Sequence, residues 1–204
     1  RTAKASVRQL EANGALCIPA DFSNPEGTKQ LIQLLHKEVG SLRAIVHNAS
    51  SWPRDTEADV DHSEVMSEMF HVHMMAPYLM NLHCRDMLIV GAKQWADIIH
   101  ITDYVVEEGS DNHIAYAASK AGMDNMTRSF ARRYAPEIKV NSIAPSLIMF
   151  NDNDSLEYRK KTLDKSSMGT EPGPEIVYQG LSFILDSAYM TGRELKLDGG
   201  RHIR

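Results

Sequence analysis

Residues 96–104 read ADIIHITDY, and residues 113–134 read HIAYAASKAGMDNMTRSFARRY. The first is a short, largely apolar run that stops at the polar group Thr102, Asp103 and Tyr104. The second is long and carries apolar residues at helical spacing. A strand, a loop and a helix in that order are the first part of a β-α-β unit. The design recurs on both sides. ALCIPADFS (15–23), LRAIVHNASS (42–51), IKVNSIAPS (138–146) and RELKLDGG (193–200) read as further strands, with helical periodicity over 24–39, 61–90 and 174–187 as well as 113–134. Strands alternating with helices predict a parallel sheet covered on both faces, a doubly wound, three-layer α/β fold of the Rossmann type. A single domain is expected over residues 1–204.

Composition agrees: 204 residues, 43% hydrophobic and 24% charged, suit one domain with a buried core. A formal net charge of −5 and the lack of a basic stripe argue against nucleic acid or an anionic membrane as partner, and for small molecules or copies of the same chain. No apolar run approaches the roughly 18 residues of a spanning helix, and no secretory leader pattern opens the chain. Cys17 and Cys84 offer no disulfide framework, so the cytoplasm is the expected location. Nine histidines invite a metal site, but His71 and His73 stand two apart on a helix and face different ways, so none is expected. The methionines, dense in MFHVHMMAPYLM (69–80), read as adaptable packing.

In such sheets ligands bind beyond the carboxyl ends of the strands, which gathers Asp21, Asn48 to Ser51, Thr102 to Tyr104, and Pro145 with Ser146. The least regular segments are 52–60 and 147–174; the second reads as a mobile lid over the site. Tyr116 and Lys120 are four apart and share a helix face. An ammonium beside a phenol favours the phenolate and lowers its pKa from about 10, so that it can pass a proton near neutrality. Alone, Tyr-x-x-x-Lys also occurs on ordinary helices.

HNAS (47–50), YAASK (116–120), VNSIAP (140–145) and TGRELKLDGG (191–200) follow one another along the chain. In that order they resemble the short-chain dehydrogenase/reductase family, over the whole length. The resemblance implies that Tyr116 donates a proton and that Lys120 holds the nicotinamide ribose and tunes the tyrosine. The family usually has a serine thirteen residues before this tyrosine; here that position is Asp103. A carboxylate beside a carbonyl under reduction would face a developing alkoxide, an unfavourable pairing. A C=N bond instead needs a proton on nitrogen, which an acid or a carboxylate-oriented water can supply. Asp103 could also simply cap the loop after its strand. HNASSW (47–52), taken with Asp103, resembles the pteridine reductases of that family, in which an aromatic follows Asn-Ala-Ser-Ser and covers one face of the pterin. Trp52 takes that place, or serves as a lid or interface tryptophan.

The implied activity is NADPH-dependent reduction of a dihydropterin: hydride to ring carbon C6 and a proton to N5, managed by Asp103. Ser50 would hydrogen-bond pterin or phosphate. Pro145 and Ser146 would contact the carboxamide side of nicotinamide, although the family commonly has Gly after this Pro. His73, four residues before Pro77, stands where the family often uses Asn to hold a relay water. Histidine can also bind water and titrate, and an ordinary helix histidine fits equally. Arg1 with Thr2 fits the place after the family's second strand where an Arg clamps the 2′-phosphate of NADPH. Asp21 and Phe22 would flank the adenine, Asn48 and Ala49 the adenosine side, with Thr102 at a neighbouring strand end. On this alignment a first β-α-β unit of roughly 30 residues or more, with its glycine-rich phosphate turn, precedes Arg1. DGGR (198–201) opens no helix and does not replace that turn, so these residues alone are expected to bind NADPH weakly or not at all. Members of the family commonly pair their long helices between subunits, which implies a homotetramer. Two other readings stay open: a reductase of another carbonyl or imine, and a catalytically silent pterin- or nucleotide-binding relative.

Overall fold

The structure, a computed structural model, describes residues 5–56 and 59–204. Four parallel strands lie side by side in chain order: β1 (Ala44–His47), β2 (Ala96–Ile101), β3 (Ile138–Pro145) and β4 (Glu194–Leu197). The helices, in chain order, are α1 (Ala5–Ala12), α2 (Pro25–Glu38), α3 (His62–Phe70), α4 (Ala76–His83), α5 (Arg85–Gly91), α6 (Val105–Glu108), α7 (Ile114–Tyr134), α8 (Leu156–Leu163) and α9 (Glu175–Asp186).

Every residue of β2 and β3 is buried, as befits parallel strands covered on both faces, and this is why both read as nearly continuous apolar runs. Their register runs from Ala96 opposite Ile138 to Ile101 opposite Ile143. Alternation sorts the side chains into two layers. Ile98, Ile138 and Val140 meet Ile32 of α2, Leu88 of α5, and Phe130 and Tyr134 of α7. Ile99, Ile101 and Ile143 meet Ile184 of α9 on the other face. The three-layer α/β architecture follows.

Three expectations are corrected. Residues 15–23 form no strand: Leu16 is 67% exposed, and β1, which ends the described sheet, pairs only with β2. A strand exists by its ladder, and among the described residues this segment has no partner for one. The single helix expected over 61–90 is interrupted by a π-helical turn at His71–Met75 and by Cys84. Pro77 has no N–H to give the His73 carbonyl, which loosens the ladder there, and a wide turn of this kind re-aims side chains. It leaves His73 with no exposure. The 147–174 stretch is not wholly irregular, since α8 lies in it, started by Ser155, whose hydroxyl accepts from the Tyr158 N–H at 3.2 Å. No α8 residue is buried, so no apolar stripe announced it.

A buried polar chain crosses the core beneath the strand ends. His47 Nε2 meets Asn81 Oδ1 at 2.8 Å, Asn81 Nδ2 meets His100 Nε2 at 3.2 Å, and His100 Nδ1 meets Thr127 Oγ1 at 2.8 Å. The Thr127 hydroxyl ends it by donating to the Met123 carbonyl. Carbonyl oxygens only accept and amide nitrogens only donate, so the proton sits on Nε2 of His47 and Nδ1 of His100. The two rings stack at 5.1 Å, and β1, β2, α4 and α7 are tied by one satisfied network.

Candidate active site

Beyond β2 the ladder to β3 continues. The Thr102 N–H donates to the Ile143 carbonyl at 2.8 Å and the Tyr104 N–H to the Pro145 carbonyl at 3.1 Å. Asp103 is therefore aimed from a fixed backbone. One of its oxygens accepts from the Val105 N–H at 3.1 Å, and the other from the Tyr116 hydroxyl at 2.8 Å. Capping and site geometry are thus carried by the same carboxylate.

The start of α7 anchors the loop that brings Trp52. His113 Nδ1 donates to the Pro53 carbonyl at 2.7 Å, the Asp55 carboxylate accepts from the Ile114 N–H, and the Asp55 N–H donates to the Asn112 carbonyl at 3.0 Å. The Trp52 indole stacks on His113 at 3.9 Å and meets Tyr116 edge-on at 4.1 Å. It remains 52% exposed and forms, with Asp103, Tyr104, Ser146, Tyr158 and Arg201, part of the wall of a cavity of about 780 Å³. Tyr116, buried, backs Trp52 and Asp103. A half-exposed indole beside a carboxylate offers a flat surface to a ring with a polar edge.

Burial, opposed by the Val105 N–H, the Tyr116 hydroxyl, Lys120 and Arg201, raises the Asp103 carboxyl above its ordinary range. Burial also raises the Tyr116 phenol, and the Asp103 charge raises it further. The lowering of Tyr116 expected from Lys120 is therefore corrected. The Lys120 ammonium donates to the Ile101 carbonyl at 2.7 Å and lies 5.6 Å from the Tyr116 ring centroid, while the carboxylate touches the hydroxyl itself. Burial pulls Lys120 down to about 8 against the attraction of Asp103. The pair holds its proton on the phenol at rest, and a carboxyl raised in this way can carry one to a ligand atom.

His73, in the π-helical turn, binds two serines: Nε2 to Ser50 Oγ at 2.9 Å and Nδ1 to Ser119 Oγ at 2.8 Å. Both ring nitrogens have protein partners. Burial, then the Lys120 charge, pulls His73 down to about 3. Ser50, Trp52, His73, Asp103, Tyr116 and Lys120 thus form one cluster.

The residues expected around the cofactor are more dispersed. Phe22, Asn48 and Ala49 line a small cleft of about 90 Å³ over Val72 and Pro77. The Asp21 carboxylate is turned into its own loop, accepting from the N–H and hydroxyl of Ser23 and from the Asn24 amide. The Thr102 hydroxyl donates to the Ile143 carbonyl at 3.0 Å, so this buried side chain ties β2 to β3. Ser146 donates to the Asp198 carbonyl at 3.2 Å and lines the large cavity. Arg1 and Thr2 lie outside the described residues.

Some site residues were missed. Gly199 and Gly200, at φ 62° and 75°, make a left-handed turn that glycine adopts freely. It brings the Arg201 guanidinium to 3.9 Å from the Tyr104 ring centroid. Only the fold makes these residues neighbours, so nothing local signals it. Ser119 was visible inside YAASK, but its role depends on His73, distant in sequence. Tyr158, Thr162 and Lys165, from α8 and just after it, also line the cavity. Among the described residues no group of three or more His, Cys, Asp or Glu could hold a metal ion, and no helix is long and apolar enough to cross a membrane.

A family model described as enoyl-(acyl carrier protein) reductase, of the short-chain dehydrogenase/reductase type, matches residues 1–202. The chain belongs to the short-chain dehydrogenase/reductase family. It is 50% identical over 205 residues to dihydromonapterin reductase of Citrobacter koseri and 51% identical to that of an Escherichia coli strain, matching all of this chain and 85% of each relative. Among solved structures, a FolM alternative dihydrofolate reductase 1 from Brucella canis, complexed with NADP, superposes with a TM-score of 0.82 at 24% identity, covering 97% of this chain and 78% of that one. An apo SCOR enzyme from Clostridium thermocellum gives 0.78 at 23% identity, covering 90% and 72%. Both share the fold found here.

Proposed function

We infer that this chain is an NADPH-dependent reductase of dihydropterins, with dihydromonapterin as substrate and dihydrofolate as a second one. The observation that carries the reading is the contact of Asp103 with Tyr116 beneath Trp52, in a chain half identical to dihydromonapterin reductases. NADPH supplies the hydride. The donor set suits its nicotinamide half: Lys120 spends one ammonium proton on Ile101 and has two left for ribose hydroxyls, at the carboxyl ends of the strands. Asn48, Ala49, Ser50, Pro145 and Ser146 would complete that side.

Trp52, half exposed at the cavity wall, would cover one face of the pterin. Asp103, whose carboxyl is raised by burial, passes to N5 the proton that rests on the Tyr116 phenol, directly or through water. Tyr116 donates to the carboxylate and keeps it oriented, and Lys120 anchors the ribose. A ketone would be poorly served, because its developing alkoxide would meet Asp103. Residues 147–174, with α8, form the lid that reads the substituent at C6, and the working particle is a cytoplasmic homotetramer. The test is NADPH oxidation by the full-length enzyme with 7,8-dihydromonapterin, dihydrofolate and a simple ketone. Turnover is expected with the first two only; none with either pterin overturns the reading.

A further inference from the structure

His73 decides the polarity of Ser50, and the reason lies in hydrogen-bond accounting along one chain. The Ser119 hydroxyl lies 2.7 Å from the Tyr116 carbonyl, an oxygen that can only accept, so the Ser119 proton is committed there. Toward His73, at 2.8 Å, Ser119 can therefore only accept, which places a proton on Nδ1. The ring has no exposure, and charging it is opposed by burial and by Lys120, so it is neutral and Nε2 is bare. Ser50, 2.9 Å from Nε2, must give its proton to it. Two other acceptors stand near Ser50: the Ser51 carbonyl, farther away at 3.5 Å, and the Tyr116 oxygen, which makes the weaker contact.

We propose that His73 is a positioning residue that locks Ser50 as a hydrogen-bond acceptor toward the ligand. Ser50 is exposed, just beyond the end of β1, and its side chain stands beside the Tyr116 hydroxyl, so its unshared lone pairs are the part offered to a ligand in front of that phenol. Asp103, the other polar group in front of Tyr116, is also an acceptor. The phenol proton, the nearest donor, is already given to Asp103. At rest, a ligand seated here satisfies Ser50 and Asp103 by bringing an N–H group to each. The locked serine thus favours ligands that present an N–H group to it, a role that rests on the dihydropterin reading and adds a second selecting group to Asp103. The π-helical turn supplies the geometry, since it leaves His73 buried between the two serines.

The direct test is long-range ¹H–¹⁵N correlation on ¹⁵N-histidine-labelled enzyme, with the His73 signals assigned by their loss in His73→Asn, or by their shift in Ser119→Ala if the first variant fails to fold. The expected result is a neutral ring with its proton on Nδ1 from about pH 5 to 8, and a shift of the Nε2 resonance in Ser50→Ala. A proton on Nε2, or a charged ring in that range, overturns the proposal. The functional arm is a double-mutant cycle on KM and kcat for the dihydropterin. Ser50→Ala should raise KM about tenfold with kcat less affected, as for one lost hydrogen bond. His73→Asn, whose shorter amide can reach Ser119 but not Ser50, should add nothing in the Ser50→Ala background. Independent, multiplying losses would mean that His73 is merely structural. An enzyme inactive with every pterin would remove the dihydropterin reading and leave the resonance measurement to decide the polarity of Ser50.

Discussion

Two histidine networks lie close together in this molecule and differ in how they end. His47, Asn81, His100 and Thr127 form a chain that begins and ends inside the core, terminating on a helix carbonyl. The chain through His73 begins on a carbonyl in the same way but runs out to an exposed serine beside Trp52. A closed network fixes structure, whereas an open one hands a defined hydrogen-bonding polarity to a ligand. The Asp103–Tyr116 contact belongs to the second kind, because Asp103 meets the large cavity. Changes in the open region should therefore alter turnover, and changes in the closed one should alter stability.

The largest effect is expected for Tyr116→Phe, which takes the hydroxyl donor from the half-buried Asp103 carboxylate at the cavity wall and removes a proton from the site. NADPH-dependent turnover should fall on the order of 10²–10⁴-fold, with the denaturation midpoint little changed. His100→Ala should do the reverse. It strands Asn81 and Thr127 in the core at a cost of about 3 kcal/mol in a denaturant titration, while kcat per folded molecule stays within about threefold. If His100→Ala abolished turnover in folded protein, the division between the regions would break.

Acid should report on both networks at once. His47 is held at about 4 against an ordinary 6.5 by burial, and His73 and His100 are also lowered. The unfolded chain then binds more protons than the folded one below pH 6.5. Their contribution to stability is complete above that pH and is lost as the pH falls toward 4, by ~3 kcal/mol for His47 alone. Denaturation midpoints measured from pH 7 to 4 check this, and a flat profile would show that these rings are charged or exposed. Trp52→Ala should raise KM for the dihydropterin about tenfold through the lost stacking face, with Trp52→Phe in between. The smallest effect is an alkaline one: as Lys120, held near 8, loses its proton, kcat/KM should decline severalfold above that pH.

What could be read from the sequence follows from the same physics. β2, β3 and α7 were legible because burial on both faces, or along one helix stripe, imposes a local pattern. Asp103, Tyr116, Lys120 and Trp52 could be named because a motif in order places them, and they do converge. Residues 15–23 were misread because the pattern shows what could be a strand, while pairing depends on a distant partner. The π-helical turn was hidden because only Pro77 marks it locally. The direction of the Tyr116 shift was misread because the four-residue spacing reveals that Lys120 is on the same face, not that the phenol is buried and set against Asp103. Arg201 reaches Tyr104 through a glycine turn at the far end of the chain.

One substitution tests the central claim most directly: Asp103→Ser, assayed side by side with the unchanged enzyme on dihydromonapterin and on a simple ketone, with NADPH oxidation as the readout. A carboxylate chosen for ring-nitrogen protonation predicts at least about a hundredfold loss on the pterin, with ketone reduction unchanged or gained. Pterin turnover preserved or improved by serine would contradict it.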